Sequence, residues 1–399
     1  MSIIGSGTYG YVFKPSLPIV GKKKKETKNM VSKIMCDFDA LVEYNIIKKL
    51  NKIYSKKIPN FYKYFALENS KIENIDWNTV GQNVINCSLV KENNKNDIVS
   101  LQIPYAGISI DDYFLKYEFD IKTLVLVINN MVDLLINGII PLNNQGVYHQ
   151  DIKGANILIQ NNIPKIIDWG ITYINDAGKV VDASDRFSIM GSPIENQLYS
   201  MRSFLMYNAP ISASFFFKVA YDNTEKNNKN LYKTGILHNT YKTYFENNQS
   251  YNKKELKYIR KTYINSNYEN YHLRTLIDIL NLALSFFNKN NYTINYAKKF
   301  LSKKYLKKLH KEYIKADNTF DDNKFYKDYH NNVDIWGWVI SFRKLLTRSK
   351  PINIDIDDWN LIKQQISKLI LYIFNKGAIE INVNKLTNIL QPILDLYLK

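Results

Sequence analysis

Residues Gly146 to Ile159 read G-V-Y-H-Q-D-I-K-G-A-N-I-L-I, which sets Asp151, Lys153 and Asn156 at the spacing D-x-K-x-x-N, two residues after His149. These side-chain types suit a phosphoryl transfer. An aspartate can orient a hydroxyl and accept its proton, a lysine can neutralise the moving phosphoryl group, and an asparagine can ligate Mg2+. A second carboxylate follows 17 residues after Asp151, in D-W-G (Asp168, Trp169, Gly170). One hard oxygen ligand from each of two neighbouring loops is what nucleotide-bound Mg2+ needs. Upstream, Gly5, Gly7, Gly10 and Val12 form G-x-G-x-x-G-x-V. Glycines there let backbone amides approach phosphate oxygens with no Cβ in the way. Dinucleotide-binding turns share this spacing but open a helix at the third glycine, whereas Y-V-F continues here as strand. Lys33, in M-V-S-K, can hold the α- and β-phosphates of a nucleotide if a carboxylate orients it, and Glu43 is the candidate.

The elements that must position these residues follow from the apolar pattern. The start reads as strand, glycine turn, strand, and a basic loop leads to a short strand over Met30 to Met35. Leu41, Ile46, Ile47 and Leu50 recur at helical spacing across Phe38 to Tyr54, with Glu43 among them. Two strands are predicted at 84–91 and 98–105, joined by the polar turn Glu92 to Asp97. A long apolar helix over Ile121 to Asn137 opens a mainly helical part. Ile157–Ile159 and Lys165–Asp168 flank the polar turn Gln160 to Asn162, which predicts a hairpin ending at Asp168. Further helices are expected near 297–313, 334–347, 358–376 and 383–398.

An apolar fraction of 45% over 399 residues supports a sizeable core and argues against wholesale disorder. Cys36 and Cys87 cannot build a disulfide framework, which points to a reducing compartment. No signal-peptide pattern is expected where glycine motif already begins. The apolar stretch Leu124 to Leu142 is interrupted by Asn129, Asn130, Asp133 and Asn137, so a buried helix is expected in place of a transmembrane segment, in a soluble, cytoplasmic protein. The net charge is +17, and residues 221–330 carry 21 Lys/Arg against 11 Asp/Glu. That stretch and the run Lys22 to Lys25 could meet an anionic partner such as nucleic acid, lipid or acidic protein. Abundant Lys, Asn, Ile and Tyr also fit an A/T-rich coding bias, which makes lysine without any such partner.

Taken in order, the flap, the lysine, D-x-K-x-x-N and D-W-G resemble a eukaryotic-type serine/threonine protein kinase, in the style of the kinase-like proteins of large DNA viruses. The resemblance implies an α+β, two-lobed fold. Residues 1–105 would form a small antiparallel β lobe with one helix, and 106–399 a mainly helical lobe with a basic insertion at about 200–330. It implies Mg2+ and ATP as cofactors, with ATP in the cleft, and protein substrates bearing Ser/Thr acceptors. Ile103 would be the gatekeeper, the backbone of Pro104, Tyr105 and Ala106 would face adenine, and Asp111 or Asp112 would meet the ribose. Asp334, in V-D-I-W-G-W-V-I, would brace the catalytic loop, and Ser192, in M-G-S-P-I-E, would hydrogen-bond Asp151 and Lys153.

Three other readings stay open. I-I-D-W-G echoes small-molecule phosphotransferases of the aminoglycoside and choline type. A catalytically weak pseudokinase or scaffold is the second, although Lys33, Asp151 and Asp168 are all in place. The third makes the basic insertion the functional module. Gln150 stands where the resemblance family has an arginine that pairs with a phosphorylated activation loop. A neutral amide cannot make that charge-assisted pair, so regulation through residue 150 is not expected.

Overall fold

A computed structural model of the chain describes residues 2–7, 10–22, 29–176, 179–182, 208, 210, 271–287, 306–313, 321–376 and 379–398. The N-terminal part is a five-stranded antiparallel sheet in the order β1-β2-β3-β5-β4. Its strands are β1 (Ser2–Gly7), β2 (Gly10–Lys14), β3 (Met30–Cys36), β4 (Lys71–Glu73) and β5 (Ile98–Pro104). Helix α1 (Asp37–Ile53) follows β3 directly and buries Ala40, Glu43, Ile46, Ile47 and Leu50. Leu41 instead faces outward and is exposed, its expected inward place being taken by Ala40 one position earlier.

The predicted strand at 84–91 is not a strand. Gln82–Ile85 is the short helix α3 (after α2, Phe61–Tyr64) and Ser88–Glu92 is α4, and the second neighbour of β5 is β4. The buried side chains are Val84, Cys87 and Val90, at steps of three, which is a helical period hidden in a short apolar run. They pack with Phe13, Leu17, Ile34, Ile75 and Ile98 as a separate small core on the sheet. The other core contains Val31, Leu101 and Ile103 of the sheet with Ile47 and Leu50 of α1.

After β5 the chain turns through β6 (Ile108–Ser109) into α5 (Ile110–Lys116). Asp120 then caps α6 (Ile121–Asp133) by accepting the Thr123 amide at 2.7 Å. The helical course continues through a π-helical turn (Leu134–Ile139) and α7 (Ile140–Asn144). By length and composition Ile121–Asn144 could cross a membrane, yet just over half of its most apolar window is buried within the fold. Leu124, Ile128, Met131 and Leu135 are fully buried there, and the Met131 carbonyl accepts a bond from Trp338 Nε1 at 2.9 Å.

Two small sheets carry the loops of interest. One is β6-β8-β9, with β8 (Ile157–Gln160) and β9 (Ile163–Ile166) as the predicted hairpin, ending two residues before Asp168. The other is β11-β10-β7, made of β7 (Val147–Tyr148), β10 (Tyr173–Asp176) and β11 (Lys179–Asp182). The helical remainder comprises α8 (Tyr271–Ser285), α9 (Leu306–Tyr313), α10 (Asp322–Ile340), α11 (Arg343–Thr347), α12 (Ile356–Lys376) and α13 (Val383–Leu394). A small antiparallel sheet region followed by a helical region is compatible with a kinase-like two-lobed fold.

Candidate active site

The strand register sets three of the candidate residues, Gly5, Val12 and Lys33, in one row. Gly5 pairs with Val12, Val12 with Lys33, and Lys33 with Leu101 across four neighbouring strands. Gly10 has no alternative in this packing, because a Cβ there would lie 2.2 Å from the Ile34 carbonyl oxygen. Gly7 ends β1 opposite Gly10, the first residue of β2. Ile103 is buried beside Val31 at the end of β5, and the Tyr105 amide donates to the Asn29 carbonyl at 2.9 Å. Pro104 closes β5, and Ala106 is buried just beyond it.

Lys33 is where three segments meet. Its ammonium bonds Glu43 Oε2 of α1 at 2.7 Å and Asp168 Oδ1, 135 residues away, at 2.7 Å. Burial alone would depress the Lys33 ammonium, but Asp168 and Glu43 outweigh it and hold its pKa above the usual lysine range. Burial pushes the Glu43 carboxyl up, against the pull of Lys33. Two opposite charges inside hydrogen-bond reach together outweigh burial, so the lysine stays cationic at neutral pH.

Asp151 lies in the loop between β7 and β8. Its Oδ2 accepts Lys153 Nζ at 2.9 Å and Asn156 Nδ2 at 3.0 Å, and its backbone amide donates to His149 Nδ1 at 3.1 Å. The loop is held from beneath by Asp334 of α10. That carboxylate accepts the His149 amide on one oxygen and the Gln150 amide on the other, both at 2.8 Å. These bonds fix Gln150 at φ +64°, a left-handed conformation that a non-glycine residue keeps only when its surroundings impose it. Asp168 is also left-handed, at φ +68°. Trp169 beyond it is buried between Phe65 and His149, with ring centroids 5.4 and 4.6 Å away.

Asn156 and Asp168 fit a hard divalent cation. Asn156 spends its amide nitrogen on Asp151, at 2.9 Å to the carbonyl and 3.0 Å to the carboxylate, so its amide oxygen is available as a ligand. Asp168 gives Oδ1 to Lys33 and keeps Oδ2 for a metal, with 38% of its side chain exposed. The Asn156 carbonyl accepts the Ile167 amide at 3.0 Å, which ties the two loops together next to Asp168. Two oxygen donors suit Mg2+, which keeps its other positions for phosphate and water.

Other expectations fare differently. Asp111 Oδ2 accepts from Arg343 at 2.9 Å, and Asp112 accepts from Lys116 and Ser109. Met190 to Glu195, Ser192 included, lies outside the described residues, as do Lys23 to Lys25 and most of the basic stretch. In the predicted helix 297–313 only Leu306–Tyr313 is described, and Tyr313 is buried there and bonded to Asp328 at 3.1 Å. A residue that the motifs did not single out is Asn208, whose Nδ2 donates to Asp151 Oδ1 at 3.0 Å and to the Ile152 carbonyl at 2.9 Å. Its only local signal is the Ala209-Pro210 pair that follows, the first two letters of an A-P-E pattern.

No protein-family model matches the chain. A stretch of 69 residues is 39% identical to a probable serine/threonine-protein kinase of Dictyostelium discoideum. The match covers 17% of this chain and 10% of that protein's length. This is a partial similarity to a probable kinase, over a small part of either chain.

Proposed function

We propose that the chain is an ATP-dependent protein kinase that transfers the γ-phosphoryl group to serine or threonine hydroxyls of proteins. The observation that carries this reading is the junction at Lys33, whose single ammonium bridges Glu43 and Asp168. A lysine held cationic on the sheet beside Val12 is suited to the α- and β-phosphates. Asn156 and Asp168 would hold Mg2+, which would neutralise phosphate charge when bound. Asp151 orients the acceptor hydroxyl and takes its proton, while Lys153, 2.9 Å from Asp151, stabilises the transferring group. Gly5, Gly7, Gly10 and Val12 would cover the phosphates, and the segment Ile103 to Ala106 would receive the adenine. The lysine two residues after Asp151 supports serine and threonine acceptors over tyrosine, by resemblance. The likeness to kinase-like proteins of large DNA viruses belongs to the same proposal. Free thiols at Cys36 and Cys87 support a cytoplasmic setting.

The test is transfer from radiolabelled ATP to a basic and an acidic model protein, comparing the native chain with Asp151→Asn and Asp168→Asn. Incorporation should fall at least about 100-fold in both variants, because each removes a group that acts in the transition state. Equal labelling by all three would refute the enzyme reading.

A further inference from the structure

The Asp151 carboxylate is held from two directions. Lys153 and Asn156, both within five residues of it, donate to Oδ2. Oδ1 is engaged by Asn208, which comes from 57 residues downstream and is fully buried. The same Asn208 nitrogen donates to the carbonyl of Ile152 at 2.9 Å. A primary amide has two hydrogens, and here they go to the side chain of residue 151 and to the backbone of residue 152. A serine or threonine hydroxyl has one hydrogen and cannot serve both acceptors. Rotation of the carboxylate about its own axis would break bonds at both oxygens, so its plane is fixed relative to the loop.

We infer that Asn208 is a positioning residue for Asp151, locking the carboxylate plane and the following peptide as one unit so that the acceptor hydroxyl meets a fixed oxygen. The inference rests on the kinase reading and deepens it. Asn208 touches neither nucleotide nor acceptor in this role, so its loss should fall on turnover and leave nucleotide affinity in place. Asn208→Asp keeps the shape but, when ionised, presents an acceptor to two acceptors. Asn208→Ser keeps a single, shorter donor.

The experiment measures kcat and KM for ATP, fluorescent-nucleotide binding and thermal midpoint for the native chain and both variants. Asn208→Asp should lose roughly 10- to 100-fold in kcat, the effect of one charge-assisted hydrogen bond, with KM for ATP within about twofold. Its deficit should narrow as the pH is lowered toward about 5, because the introduced carboxyl regains a hydrogen on protonation. Asn208→Ser should fall between the two. A native-like kcat in Asn208→Asp overturns the inference, as does a deficit that does not change with pH. If that variant does not fold, Asn208→Ser decides: reduced kcat at unchanged nucleotide binding supports the role, and unchanged kcat overturns it. A native chain with no phosphotransfer at all sinks the kinase reading itself, and nucleotide binding distinguishes that outcome.

Discussion

Lys33 is the residue on which the site's charges balance, and removing it should show as both chemistry and stability. Lys33→Met leaves Glu43, almost wholly buried, without its partner at 2.7 Å. Loss of one partner of a buried ion pair costs about 3–5 kcal/mol, mostly as the stranded charge. Urea unfolding of Lys33→Met should therefore lose about 3 kcal/mol, and Lys33→Met with Glu43→Gln should recover part of it. Gln150 makes the opposite case. Its side chain is 1% exposed and, among the described residues, neither of its polar side-chain atoms has a hydrogen-bond partner. An unpaired buried amide is a cost, so Gln150→Leu should unfold at equal or higher urea concentration and keep its phosphotransfer rate. Phosphatase treatment of the native chain should change that rate by less than about twofold, since no cation stands at residue 150 to read a phosphate. The lysine, its glutamate and the D-x-K-x-x-N residues were legible because each falls within a single strand, helix or loop of recognisable pattern. Asn208 was not, because its role exists only once a distant segment folds back onto Asp151.

At the scale of elements, what sequence showed and hid follows from periodicity and length. Helix α1, β3 and the β8-β9 hairpin were readable because their apolar positions fit a single period over enough residues. The run 84–91 was not, since eight residues with apolar side chains at several phases fit a strand and a helix alike, and only packing against Phe13 and Ile98 decides. The contact between α10 and the loop of Asp151 was expected at Asp334 from the resemblance, but the close backbone approach one turn further on was hidden. Gly337 sits within α10, three residues after Asp334, and a Cβ there would come to 2.0 Å from the Ile152 carbonyl oxygen. In an exposed helix Gly→Ala stabilises by about 1 kcal/mol, but here the obstacle is backbone. Overpacking of this kind costs about 1–3 kcal/mol. Gly337→Ala should therefore lower the thermal midpoint and, by displacing the peptide between Asp151 and Lys153, reduce kcat as well. An unchanged kcat would mean that α10 yields in place of the loop.

Across the whole molecule, the helical region packs on strands β7 and β10 through a histidine whose titration should contribute to acid sensitivity. His330 of α10 stacks on Tyr148 of β7 and Tyr173 of β10, with centroids 5.0 and 4.6 Å away. Burial lowers its pKa from 6.5 to about 3, so the folded chain keeps it neutral. A histidine depressed on folding contributes stability that is present above its unfolded pKa and is lost as pH falls, because the unfolded chain then binds a proton the folded one refuses. The window runs from about 6.5 down to about 3, with a slope approaching roughly 1.4 kcal/mol per pH unit. Nearby Asp328 is raised by burial and acts in the opposite sense, since folding favours its protonated form. Residues 221–330 add net positive charge whose self-repulsion grows in acid, so the bare pH profile of the native chain mixes several sources. His330→Phe separates them, because it keeps an aromatic ring in the stack and removes the titrating nitrogen. Urea unfolding at pH 7.5, 6.0 and 5.0 should show the native chain losing stability faster than His330→Phe, with the gap opening below about pH 6.5. Parallel profiles would show that some other group carries the acid sensitivity and that His330 is protonated within the fold at little cost.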